Sequence, residues 1–197
     1  MAYVLGFWFA DGYMRKEKSY RVLFISNDVS ILRAIRVALR STHPIRHRKK
    51  DAACEMSVCS KHLYLQLEKR GGLRCKSTKI RFPKIPQPYL RDFIRGYFDG
   101  DGSVFFAHYR STKDHKMRRE LRSNFTSGSI VFLRQLMEIL YQKLLMKRKV
   151  IGAYNAGHSL KLGYGTRDTS KLLKFMYYPG FPIALQRKAK FIEACKL

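Results

Sequence analysis

Residues 3–14 read YVLGFWFADGYM and residues 93–104 read FIRGYFDGDGSV. Each is an apolar run that sets a glycine and two aromatics in a row and stops on Asp-Gly. The two aspartates, Asp11 and Asp101, stand 90 residues apart. A phrase repeated at such a distance marks a duplicated supersecondary unit, and duplication limits the possible folds more than local propensity does. Further matches follow in the same order. SNDVSILRAIRVAL (26–39) resembles SGSIVFLRQLMEIL (127–140) at an offset of 101, and SKHLYLQL (60–67) resembles SKLLKFMY (170–177) at 110. CKSTK (75–79) resembles RKAKF (187–191), setting Lys76 against Lys188 at an offset of 112. The offsets grow without reversing, which fits two copies of one module, the second lengthened by insertions. The largest insertion, 11 residues, falls just after the second motif, within AHYRSTKDHKMRRELRSN. The join, RFPKIPQPYLRDF, holds three prolines, which cannot sit in a helix interior and suit an extended linker. The expected organisation is an N-terminal half over 1–80, a linker over 81–89 and a C-terminal half over 90–197.

Within each copy the pattern reads helix, strands, helix, strands, helix. Leu90, Phe93, Ile94, Tyr97 and Phe98 recur at helical spacing. SYRVLFIS (19–26) is rich in β-branched and aromatic residues and reads as a strand, with Ser26, Asn27 or Asp28 as the cap of the helix that follows. HPIRHRKKD predicts an extended segment with Arg46, Arg48 and Lys50 on one face. SLKLGYG (159–165) sets Leu160, Leu162 and Tyr164 on one side, and Thr166, Asp168 or Thr169 is expected to cap a later helix. A module of two antiparallel hairpins backed by helices packs one face of its sheet and exposes the other. Two such sheets side by side would form a long concave saddle.

Charge identifies what such a saddle would hold. The chain has 40 Lys+Arg against 14 Asp+Glu, a formal net charge of +26. A field of that size draws polyanions and is hard to reconcile with a small-molecule enzyme. The basic residues are spread along a chain that is 46% hydrophobic, so they belong to a folded surface and not to a disordered tail. No run of about 18 apolar residues is present, and no basic-then-apolar leader opens the sequence, so an intracellular location is expected. Bacterial or archaeal cytoplasm and an organelle all remain open. Cys54, Cys59, Cys75 and Cys195 form no C-x-x-C pair and read as reduced thiols.

The motifs carry the chemistry. Gly6 and Ala10 are spaced i, i+4, as are Gly96 and Gly100, so each pair lies on one helical face. Small residues at that spacing let two backbones approach closely. Each glycine costs about 1 kcal/mol against Ala in a helix, which packing of the two motif helices on each other would recover. Gly12 and Gly102 are expected as the helix stops. An Asp at a helix C-terminus is electrostatically misplaced. Two of them converging among terminal carbonyls make an oxygen-rich site suited to Mg²⁺ or Mn²⁺. An Asp-Gly turn is the blander reading of either copy alone. A calcium loop starting at Asp99 fails, because its sixth and twelfth positions are Val104 and Arg110.

VLGFWFADG (4–12) and IRGYFDGDG (94–102) resemble the two signature motifs of the monomeric LAGLIDADG homing endonucleases, and FPKIPQPYLRDFIRGYFDGDGSV (82–104) is typical of the approach to that family's second motif. The resemblance implies an α+β fold: a pseudo-twofold pair of αββαββα modules, motif helices at the centre, and two antiparallel saddle-shaped sheets on a long double-stranded DNA site. It implies Asp11 and Asp101 as metal-binding catalytic carboxylates, carbonyls of Ala10 and Gly100 as further ligands, and Gly6, Ala10, Gly96 and Gly100 as the helix interface. It places Lys76 and Lys188 in a basic pocket that polarises water or stabilises the phosphorane. The implied reaction is hydrolysis of one phosphodiester per strand across the minor groove, leaving 3′ overhangs, by a monomer using Mg²⁺, with Mn²⁺ as a substitute. Phe9, where the second copy has Asp99, departs from the pattern and would make the halves unequal. Candidate DNA readers are Arg15, Lys16, Lys18, Arg21, Arg46, Arg48, Lys50, Arg110, Arg118, Arg122 and Lys161. The alternative is an intron maturase or a catalytically silent DNA-binding protein on the same scaffold; loss of either Asp would favour it, and both are present. A basic ribosomal protein would explain the charge but not the paired Asp-Gly helix ends.

Overall fold

Both motifs fold as helices that end on their aspartates: α1 (Ala2–Asp11) and α4 (Leu90–Asp101). The structure is a computed structural model and describes residues 1–74, 78–112, 114–154 and 159–195. α1 has no polar stripe, and Tyr3, Val4, Phe7, Trp8 and Phe9 are all buried. A helix apolar on every side is a buried one, and α1 runs through the middle of the core. Behind it come β1 (Gly12–Lys16), β2 (Tyr20–Ser26), α2 (Val29–Ala38), β3 (Ile45–His47), β4 (Cys54–Cys59) and α3 (Lys61–Lys69). The second copy repeats the order after α4: β5 (Gly102–Arg110), β6 (Met117–Ser127), α5 (Ile130–Leu144), β7 (Gly152–Tyr154), β8 (Ser159–Tyr164) and α6 (Thr166–Met176). A short helix α7 (Gln186–Ala189) and a 3₁₀ turn, Lys190–Cys195, follow.

The sheets are topological twins. Their strand orders are β1-β2-β4-β3 and β5-β6-β8-β7, with every pairing antiparallel. The fold is therefore α+β with a duplicated αββαββα module, as expected. The insertion after the second motif lengthens a hairpin: β5 and β6 have 9 and 11 residues against 5 and 7 in β1 and β2. One core spans both copies, with Phe82 lying between Phe93 and Phe132 where the join meets α4 and α5. Among the described residues no helix is long and apolar enough to cross a membrane, and Cys54, Cys59 and Cys195 are free thiols.

Three local expectations meet a definite outcome. Asp28 is the residue that caps α2, accepting the Ser30 N–H at 3.0 Å. The cap expected for α6 is absent: Gly165 stands at its N-cap, while Asp168 lies within the helix and accepts from the Lys147 N–H. The strand through Arg46 ends at His47, short of Arg48 and Lys50. Asp51 accepts the Ala53 N–H, and the Arg48 N–H donates to the Ala53 carbonyl, so the chain turns back before the alternation can continue.

Close approach of α1 and α4 is what their glycines permit. A Cβ on Gly6 would overlap the Phe93 carbonyl, and a Cβ on Gly96 would overlap the Tyr3 carbonyl. With the 90-residue offset, these are one contact made twice. Further along, Gly100 packs on Ala10. Contacts that proceed in the same direction along both helices require a parallel pair, so both C-termini emerge together.

Candidate metal centre and nucleic-acid interface

The parallel pair brings Asp11 and Asp101 to neighbouring helix ends. A Cβ on Gly100 would stand 3.2 Å from Asp11 Oδ2, so the first aspartate faces the end of the partner helix. Gly12 and Gly102, expected as the helix stops, are the C-caps of α1 and α4, with φ of −99° and −95° in the extended region. Glycine is needed there for space: a Cβ would run into the Trp8 indole at Gly12 and the Phe98 ring at Gly102. The helices end because the chain turns straight into β1 and β5, and both sheets therefore start at the aspartates.

The carbonyls at the end of α4 are nearly all engaged. The Lys188 ammonium donates to the carbonyls of Phe98 at 2.6 Å, Asp99 at 2.8 Å and Gly102 at 2.5 Å. Thr126 Oγ1 donates to the Asp101 carbonyl at 2.7 Å. Gly100 is the one residue from 98 to 102 whose carbonyl neither Lys188 nor Thr126 takes. Among the described residues no three His, Cys, Asp or Glu side chains converge. A metal here would be held by two carboxylates and backbone carbonyls, and an all-oxygen set including Gly100 fits a hard divalent cation.

Lys188 is 3% exposed. Burial lowers its pKa to about 8, against the pull of Asp99, Asp11 and Asp101, while Arg187 lowers it further. With three protons spent on three carbonyls, it neutralises the helix end instead of presenting a donor to the groove. Lys76, its partner in the repeat, lies outside the described residues.

Asp99, two residues from Asp101, is 1% exposed and has a separate task. It accepts from Tyr3 Oη at 2.7 Å, Tyr177 Oη at 2.7 Å and the Leu185 N–H at 2.8 Å, binding α1 and the C-terminal segment to α4. Burial pushes its carboxyl above the usual range, while these donors pull it back. Asp99→Ala would strand three buried donors and should cost about 3 kcal/mol, read by urea unfolding; a loss below 1 kcal/mol would rule out this role. Phe9, at the matching place in α1, packs edge-on against Trp8 and Phe93 instead.

The sheet faces turned away from the helices carry the basic residues. Arg15 lies directly opposite Arg21, with Cys59 beyond, and Arg46 sits opposite Glu55. Arg15, Arg21 and Arg46 line one hollow of about 300 Å³. Like charges paired across strands are unfavourable unless a polyanion lies between them. On the second sheet Arg118 opposes Tyr109, Arg122 opposes Phe105, and Lys161 opposes Thr126. Arg118 and Arg122 are ion-paired to Asp114 and Glu120 at 2.7 Å each. Other candidates fall elsewhere. Lys16 alternates to the opposite face, with its ammonium 5.1 Å from the Tyr20 ring, and Lys18 is in the bend between β1 and β2. Arg48 pairs with Asp51, and Lys50 lies in a turn. Arg110, opposite Met117, has the wrong parity and donates to the His115 carbonyl at the hairpin tip. The sequence reading overlooked Phe105 and Tyr109, exposed aromatics in register with Arg122 and Arg118. The only signal was alternation within a strand whose register was unknown.

No protein-family model and no curated protein matches this sequence. Solved structures do match. The chain is similar to the I-LtrWI LAGLIDADG homing endonuclease bound to target DNA, with a TM-score of 0.65 and 13% identity over 99% of this chain and 87% of that one. It is similar to the I-SmaMI LAGLIDADG homing endonuclease bound to cleaved DNA, at 0.68 and 14% over 99% and 87%. A further match is I-SmaMI bound to uncleaved DNA target in the presence of calcium ions, at 0.58 and 15% over 99% and 97%. The chain has the LAGLIDADG homing endonuclease fold.

Proposed function

We propose that the chain is a site-specific DNA endonuclease that hydrolyses one phosphodiester in each strand across the minor groove and leaves 3′ overhangs. The observation that carries this reading is the placing of Asp11 and Asp101 at adjoining ends of parallel helices, at the origin of two basic sheets. The LAGLIDADG structures bound to DNA support it. Each half, residues 1–80 and 90–197 about the 81–89 linker, reads one half-site. One chain supplies both carboxylates and works as a monomer. Mg²⁺, or Mn²⁺ in its place, would be held by Asp11, Asp101 and carbonyls such as those of Ala10 and Gly100, and supplies Lewis-acid activation of water and phosphate when bound.

The chain's own residues do the rest. Sheet arginines and lysines neutralise phosphates and set the register of the duplex; Arg15, Arg21, Arg46, Arg118 and Arg122 can reach base edges. Asp11 and Asp101 orient the two cleavage centres, and Lys188 and Thr126 fix the end of α4 that carries one of them.

Incubation with a randomised duplex library and Mg²⁺ should enrich one long asymmetric site among the cut molecules. Tight binding to one sequence with no cutting would reverse the reading in favour of a silent DNA-binding protein. Binding to the selected site should weaken by about 10³–10⁵-fold between 50 and 200 mM salt, if some six to ten phosphates are neutralised. Fluorescence anisotropy measures this, and an affinity indifferent to salt would contradict the proposed interface.

A further inference from the structure

A hollow of about 520 Å³ opens beside the first aspartate, lined by Asp11, Ser26, Asn27, Asp28, Gly100 and Arg187, among others. It joins the Asp11 carboxylate of one copy to the Gly100 backbone of the other, and the only cationic side chain among its described lining residues comes from α7. Arg187 is exposed, and among the described residues no hydrogen bond or ion pair engages its guanidinium. Its neighbour Lys188 points inward and is spent on three carbonyls. Resting on the endonuclease reading, we propose that Arg187 is the phosphate-contacting cation of the Asp11-side cleavage centre, and that it gives the two centres unequal power.

A guanidinium offers several parallel donors to phosphate oxygens and stays protonated throughout. In the hydrolysis, water oxygen forms a bond to phosphorus, the P–O3′ bond breaks, and one water proton ends on the departing 3′ oxygen. Arg187 exchanges no proton; it stabilises the negative charge gathering on the phosphate oxygens. The inequality follows from the repeat. The position matching Arg187 in the first copy is Cys75, which carries no such charge. The hollow differs as well: Asn27-Asp28 in the first copy corresponds to Gly128-Ser129 in the second.

The test is single-turnover cleavage of the selected site with each strand separately labelled, using wild type, Arg187→Ala and Arg187→Lys, with Kd measured in Ca²⁺. Arg187→Ala should slow one strand by roughly 30–100-fold and the other by less than about threefold, with Kd changed less than about fivefold. Arg187→Lys, or free guanidinium added to Arg187→Ala, should restore part of the rate. Equal slowing of both strands, no slowing, or a loss confined to Kd would overturn the assignment while leaving the endonuclease reading intact. A wild-type chain that cuts no DNA would overturn both.

Discussion

Asp101→Asn should lower single-turnover cleavage by roughly 10³-fold, about 4 kcal/mol of transition-state stabilisation, while Kd for the target stays within a few-fold. Asp11→Asn should behave alike. Asparagine keeps the shape and one oxygen but removes the charge that a divalent cation needs, so binding energy drawn from the sheets survives. Neither side chain is part of the hydrophobic core; Thr126 holds Asp101 through its backbone, and that bond persists in the variant. Strand-resolved quench assays beside anisotropy separate the two effects. Full activity in either variant would break the proposed pair, and a parallel collapse of Kd would reassign the carboxylates to DNA positioning. Asp99→Asn is the internal contrast, since its damage should appear in unfolding experiments.

Gly96→Val should destabilise the protein by about 3–5 kcal/mol, lowering Tm by on the order of 10 °C for a chain of this size. Helix propensity alone predicts the opposite sign, because Gly is the poorer helix former by about 1 kcal/mol against Ala. Overlap decides: a Cβ at Gly96 meets the Tyr3 backbone carbonyl, which has no rotamer by which to move aside. The two helices would have to part, and with them the aspartate ends they align. Gly163→Ala is the control, since a Cβ there has nothing within 4 Å. Differential scanning calorimetry on both variants settles the point, and a Gly96→Val protein with unchanged Tm would remove close helix contact from the explanation.

What the sequence revealed is what repetition and periodicity encode. The doubled phrase located α1 and α4, the small residues gave their contact face, and alternation at Leu160, Leu162 and Tyr164 gave the inner side of β8. What it hid depends on distant partners. The sequence sets Lys188 in a basic pocket, but not the three carbonyls it caps, 86 to 90 residues earlier in the chain. Arg95, fully buried, donates to the carbonyls of Met176 and Ile183, and Asp92 forms an ion pair with it at 2.8 Å. Its counterpart in the first copy is Leu5, so comparing the copies reveals the difference without its reason. Arg46, Arg48 and Lys50 failed as a face because one Asx turn at Asp51 outweighed three residues of alternation. Gly12 and Gly102 do stop the helices, but the ring packing by Trp8 and Phe98 that requires glycine there depends on tertiary contacts.

The most direct measurement of the central claim is cleavage of the selected duplex in Mg²⁺ and in EDTA, with both product ends sequenced. Two staggered cuts leaving 3′ overhangs, lost in EDTA and in either Asp variant, are the expected result. Sequence-specific binding with both strands intact in Mg²⁺ would contradict it.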